Sequence, residues 1–212
     1  MPEIDGNDER SHPDQGNTGD VSDSEVPARQ AVFAGGCFWC VEAVFRELAG
    51  VIDVTSGYAG GLADLANYDA VKSGQTDHAE VVRITYDPSQ ITYERLLEIH
   101  FALHDPTTLN QQGNDKGPQY RSSIFYANES EKQAAAGMIE KLTSESRFTQ
   151  PIVTTLEQLD TFYEAEAYHQ DYVCHYPNQP YIKSVALPKV KKVRELFKDE
   201  VRTDSAGENV AE

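Results

Sequence analysis

Residues 31–48, AVFAGGCFWCVEAVFREL, constrain the fold more than any other stretch of the chain. Four apolar residues at 31–34 suit a buried strand, and Gly35 and Gly36 allow a sharp reversal that bulkier residues resist. A helix is expected from around Cys37, because Val41, Val44, Phe45 and Leu48 fall at i, i+3, i+4 and i+7 and give it one apolar face; Gly50 closes it. Strand, glycine turn and helix thus present Cys37 and Cys40 at a helix tip.

The rest of the chain reads as a mixture of strands and helices. Residues 51–57 and 79–87 suit strands, the second with Val82, Ile84 and Tyr86 alternating against Val81, Arg83 and Thr85. Residues 92–104 carry Leu96, Leu97, His100 and Leu103 at helical spacing. Ser122–Tyr126 is a further strand, Asn128 with Glu131 caps a helix over 128–144, and residues 152–159 return to strand. Pro188 suits the first turn of a last helix with Val190, Val193 and Phe197 on one side. Residues 60–75, 105–119 and 178–188 are long polar connections, where functional residues concentrate. The expected fold class is α+β: a two-layer α/β sandwich with a central mixed sheet, long connecting loops and a ferredoxin-like core.

With 212 residues the chain is long enough for one domain with its own core, expected over 29–201. Residues 1–28 are expected to form a disordered acidic tail and residues 202–212 a second disordered tail, since both are polar with little to bury. Lys and Arg total 18 against 35 Asp and Glu, a net charge of −17, which argues against nucleic acid or anionic lipid as partners. MPEIDGNDERSHPDQ lacks the basic and apolar regions of a secretory signal, and nowhere do about 18 apolar residues run together. A soluble, cytoplasmic monomer is expected. Three cysteines in such a chain are not a disulfide framework.

A thiol in a helix's first turn faces unpaired N–H groups and the positive end of the helix dipole, which can lower its pKa from roughly 8.5 to about 3.5–7.5. Cys37 is therefore the better nucleophile. Cys40 lies one turn on, at a Cα separation of roughly 5 Å, within disulfide range. A metal is not expected: one CxxC supplies two ligands, nothing in the spacing of Cys174 and His175 completes a site, and HFALH lacks the zincin Glu. His100 and His104 are read as packing or helix-end residues. Phe38 and Trp39 suit either core packing or the wall of a pocket for a methyl or thioether group. Read alone, the turn fits buried structural cysteines, a thioredoxin-like dithiol–disulfide oxidoreductase, a redox sensor or a thiol enzyme.

GGCFWC followed by VEAVF, then GYAGG, DHAEVVRITYDP, HDPTTLNQQGNDKGPQYRSSIFY and AEAYHQDY resembles, in order and from about residue 32 to 197, the methionine sulfoxide reductase A family. The resemblance implies reduction of the S epimer of methionine sulfoxide, free or in proteins, as repair of oxidative damage. It implies Cys37 as nucleophile, Glu80 as acid, Tyr68 and Tyr120 as donors to the sulfoxide oxygen, Asp115 as the residue ordering the pocket, and Phe38 and Trp39 as the wall around the substrate methyl. Such an acid needs a raised pKa, which desolvation supplies. The oxygen ends on Cys37 as a sulfenic acid, which a second thiol converts to a disulfide. Thioredoxin is the implied external reductant, drawing electrons from NADPH, with no bound cofactor. His169, within AEAYHQDY, is assigned a structural role.

The chain departs from the family where many members carry a cysteine just after NQPY: Ile182 follows Tyr181 here. Cys40 is favoured as the resolving thiol because the local CxxC needs no loop to swing in, with Cys174 as second candidate. Asp77 stands where the family usually has Gly, and Leu65-Ala66-Asn67 where it often has Asn-Pro-Thr.

Overall fold

The computed structural model describes residues 26–203; apart from the few residues bordering the core, the expected tails lie outside this range. In chain order the elements are β1 (Arg29–Gly35), α1 (Phe38–Phe45), β2 (Val51–Ala59), α2 (Tyr68–Lys72), β3 (Ala79–Tyr86), α3 (Tyr93–Leu103), β4 (Gln111–Gln112), β5 (Asp115–Lys116), β6 (Ser122–Tyr126), α4 (Glu129–Ser144), β7 (Thr155–Gln158), β8 (Phe162–Glu164), α5 (Tyr172–His175) and α6 (Leu187–Leu196). Six strands form one sheet in the order β7-β6-β1-β3-β2-β8, and β4 pairs with β5 in a separate ribbon. Every pair in the large sheet is antiparallel except β6–β7, so the sheet is mixed.

The apolar run at 31–34 within β1 is explained by burial on both sheet faces. Ala31 and Phe33 point into the main core with Val44 and Phe45 of α1, Leu96 and Leu97 of α3 and Val193 of α6. Val32 and Ala34 join Val81 and Phe125 in a smaller cluster. Each large side chain so buried contributes about 1.5–3 kcal/mol. The glycine pair is fixed by packing as well as by backbone hand. A Cβ at Gly35 would lie 2.8 Å from His100 Cε1, and one at Gly36, whose φ is +91°, would lie 2.6 Å from Gln112 Cγ.

Two helix starts follow the sequence closely. Thr92 accepts the Arg95 N–H at 3.1 Å, and Asn128 accepts that of Glu131 at 3.0 Å while Glu131 takes the Ala127 N–H at 2.8 Å. Elsewhere tertiary pairing overrides local pattern. α1 stops at Phe45, because Leu48 pairs with Val201 in an isolated bridge, and Gly50 (φ +80°) turns the chain into β2 rather than capping the helix. Residues 152–159 form strand only at β7, and β8 is too short for its alternation to register, existing through its pairing with β2. Residues 178–188 are not a polar connection: a π-helical turn at Ile182–Ala186 buries Ile182 and Ala186 and runs into α6. Among the described residues no helix is long and apolar enough to cross a membrane.

Candidate active site

The turn between β1 and α1 brings Cys37 to the end of the sheet, as the N-cap of α1. The first N–H of that helix, on Phe38, donates to Glu80 Oε2 at 3.0 Å. Glu80 reaches it from β3, where it stands opposite Tyr58 of β2, and its side chain is buried. Burial pushes the Glu80 carboxyl up to about 8, the Phe38 N–H pulls against this, and Asp115 and Cys40 push further up. A carboxyl so raised keeps its proton near pH 7.

The same hydrogen bond corrects the expectation for Cys37. The N–H that was to stabilise a thiolate is given to Glu80, and Cys37 makes no capping hydrogen bond of its own. Burial raises the Cys37 thiol well above its ordinary range, with Cys40 and Glu80 adding to the effect. Cys40 is fully buried one turn on, and its hydrogen bond with Cys37 lowers it while raising Cys37, so of the pair Cys40 gives up its proton more readily, against the order expected from helix position. The Tyr181 hydroxyl lies 3.9 Å from Cys40 Sγ and donates to Asp115 Oδ2 at 2.6 Å. Asp115 thus reaches the thiols through Tyr181. Tyr68 is raised to about 12 and Tyr120 is also raised, in both cases by burial first and then by Glu80 and Cys37. Both phenols stay protonated near Glu80 and Cys37, available as donors.

A cross-braced wall closes the other side. Trp39 stacks on Tyr172 at 3.8 Å and 7°, and its Nε1–H donates to His169 Nδ1 at 3.1 Å. That bond leaves the neutral imidazole's proton on Nε2. The His169 ring lies 5.1 Å from Phe38 and 4.3 Å from Tyr68. Glu166 accepts the Tyr58 hydroxyl and the Tyr68 N–H, both at 2.9 Å. The AEAYHQDY block therefore straps α1, β2 and α2 together beside Cys37.

Cys174 does not join this group. It is an exposed thiol on α5, raised by burial and by Asp171, beside Arg46, Glu42 and Glu47. His100 and His104 pack under Gly35; His104 bonds Ser122 Oγ and the His100 carbonyl, both at 2.7 Å, and burial lowers it to about 4. Among the described residues no three His, Cys, Asp or Glu side chains are grouped to hold a metal. At the departures, the Asn67 side chain caps α2 by accepting the Ala70 N–H at 3.0 Å, and the Asp77 carbonyl accepts from Arg121 at 3.1 Å. Tyr181 and Glu166 are site residues that sequence reasoning did not single out, and His169 has a sharper role than support. Tyr181 stands in NQPY and the other two in AEAYHQDY, but their partners are 66 to 141 residues away.

Comparison with known proteins bears directly on this arrangement. The family model described as peptide methionine sulfoxide reductase matches residues 29–201. Peptide methionine sulfoxide reductase MsrA of Deinococcus radiodurans is 52% identical over 173 residues, spanning 82% of this chain and 84% of that protein. Peptide methionine sulfoxide reductase MsrA 2 of Synechocystis sp. is 47% identical over 186 residues, 87% of each chain. Among solved structures, Mxr1 from Saccharomyces cerevisiae in reduced form matches with TM-score 0.68 and 35% identity over 71% of this chain and 87% of that one. The acid, the dithiol and the aromatic wall all fall within the matched span, and the chain belongs to the peptide methionine sulfoxide reductase family.

Proposed function

We propose that this methionine sulfoxide reductase acts on the S epimer, free or in proteins, through Cys37, Glu80, Tyr68 and Tyr120, and that Cys40 resolves the product for reduction by thioredoxin. The observation that carries the reading is the buried Glu80, raised by that burial and hydrogen-bonded to the N–H next to Cys37. The substrate methyl packs on Phe38 and Trp39, and its oxygen turns toward Glu80, Tyr68 and Tyr120. Cys37 sulfur attacks the sulfoxide sulfur as Glu80 protonates the oxygen, and the two phenols stabilise the charge developing there. The thiol's own proton replaces the one Glu80 gives. In the S–S adduct so formed the hydroxyl passes to the Cys37 sulfur as the new S–S bond and the methionine S–O bond break, so methionine leaves, reduced by two electrons, and Cys37 is left as a sulfenic acid, oxidised by two.

Cys40 then forms the S–S bond, its proton leaving with the hydroxyl as water. Its fully buried position beside Cys37 and Tyr181 supports this role, whereas Cys174 sits among Glu42, Arg46 and Glu47. Asp115 and Tyr181 hold the dithiol in place. Three free cysteines suit a reducing cytoplasm and a dithiol reductant such as thioredoxin. The run β1-α1-β2-β3-α3-β6, with sheet order β6-β1-β3-β2, supports a ferredoxin-like core in a two-layer domain over 29–201.

The test couples the protein to thioredoxin, its reductase and NADPH. NADPH oxidation that requires methionine S-sulfoxide and ignores the R epimer is expected. Turnover of disulfide substrates without sulfoxide would instead support the dithiol oxidoreductase reading.

A further inference from the structure

The two tyrosines assigned to the sulfoxide oxygen stand on separate short segments. Tyr68 opens the five-residue α2, and Tyr120 ends a 3-10 turn, Pro118–Tyr120. The start of α2 is held by Glu166 through the Tyr68 N–H and by the Asn67 cap. Its other end is held from the Tyr120 turn itself. Gln119 Nε2 donates to the carbonyl of Lys72, the last residue of α2, at 3.4 Å.

The seat of that amide is shaped for it. Gln119 is 4% exposed, and its side chain lies against two glycines with left-handed backbone. A Cβ at Gly117 (φ +139°) would stand 2.2 Å from Gln119 Oε1, and one at Gly74 (φ +71°) would stand 3.5 Å from the same atom. Oε1 itself is buried without a hydrogen-bond partner, a standing cost of about 1–3 kcal/mol. The amide is kept in place for what its N–H end does.

We infer that Gln119 is a positioning residue, clamping the end of α2 to the Tyr120 turn and so fixing the spacing of the Tyr68 and Tyr120 hydroxyls around the substrate oxygen. This rests on the roles proposed above for the two phenols. Gln119 touches neither thiol nor acid; it acts through where the phenols stand, and a displacement of about 1 Å is enough to slow a reaction by up to a hundredfold.

The test is a double-mutant cycle in single turnover, measuring methionine released per enzyme without reductant for Q119M, Y68F and the double variant. Q119M keeps the length and loses the donor. It is expected to lower the saturated rate about tenfold with KM changed less than about twofold, the split of an interaction felt in the transition state. In the Y68F background the same change is expected to cost less than about threefold. Losses that multiply across the cycle, a wild-type rate in Q119M, or a loss confined to KM would overturn the inference while leaving the phenol assignment intact. A silent Y68F would remove that assignment, and the inference with it. If Q119M does not fold, Q119L also removes the donor at similar volume, and serves in the same cycle with the same expectations.

Discussion

Two buried carboxylates flank α1, and they are used differently. Glu42 accepts the Asp171 N–H at 3.0 Å, the Ser56 hydroxyl at 3.1 Å and Arg46 Nε at 3.2 Å. Burial raises it, and although these three donors pull against that, it stays above its ordinary value. Glu80 has one donor, the Phe38 N–H, and burial lifts it to about 8. Three donors on Glu42 against one on Glu80, together with the deeper burial of Glu80, separate a carboxylate that ties elements together from the one proposed to give a proton. One side of α1 is a brace joining α1, β2 and the 171 turn, and the other is a site with spare hydrogen-bonding capacity.

The largest effect expected from breaking this contrast is on rate. Glu80→Gln removes the transferable proton, and single-turnover reduction should fall by about 10²–10⁴; the same change at Glu42 should leave the rate per folded molecule within about threefold. Next comes Cys40→Ser, which should still release one methionine per enzyme but lose thioredoxin-driven turnover by at least about tenfold. Cys174→Ser, on the Glu42 side, should turn over as wild type, and peptide mapping after one turnover should show Cys37 joined to Cys40. A bridge to Cys174 with Cys40 free would reverse that assignment.

Stability should show the contrast as well. Between about pH 4.5 and 8 folded Glu80 retains a proton that the unfolded chain has released. Wild-type stability therefore falls as pH rises through this window and levels off above it. Glu80→Gln does not titrate, so denaturant melts at pH 5, 7 and 9 should show it gaining on wild type as pH rises; parallel curves would contradict the raised carboxyl. Glu42→Gln gains nothing comparable and should lose about 1–3 kcal/mol at pH 7, because Asp171 N–H, Ser56 and Arg46 were matched to a carboxylate.

Much of the framework was legible because it is written locally. The strand, glycine pair and start of α1, the Thr92 and Asn128 caps and the apolar faces of α1 and α3 all depend on neighbours within a few residues. Cys37, Cys40, Phe38 and Trp39 came with that turn, and Glu80, Tyr68, Tyr120 and Asp115 with family blocks at their spacing. What the sequence concealed is tertiary. The Cys37 thiol was expected low from helix position alone, and only the fold shows that Glu80 takes the N–H and burial wins. Tyr181 links Asp115 to the dithiol from a segment read as a polar loop, where a π-helical turn begins. Glu166 and His169 find their partners only when α2 and α1 are packed beside them.

The claim beneath all of this is that Glu80 carries a proton at neutral pH. Difference infrared spectroscopy on the folded enzyme, with Glu80→Gln as reference, reads that proton directly. A protonated carboxyl band at pH 7, absent in the variant and lost with a midpoint near 8, is the expected result. A carboxylate already ionised at pH 7, with a midpoint near the ordinary value of about 4.3, would contradict it.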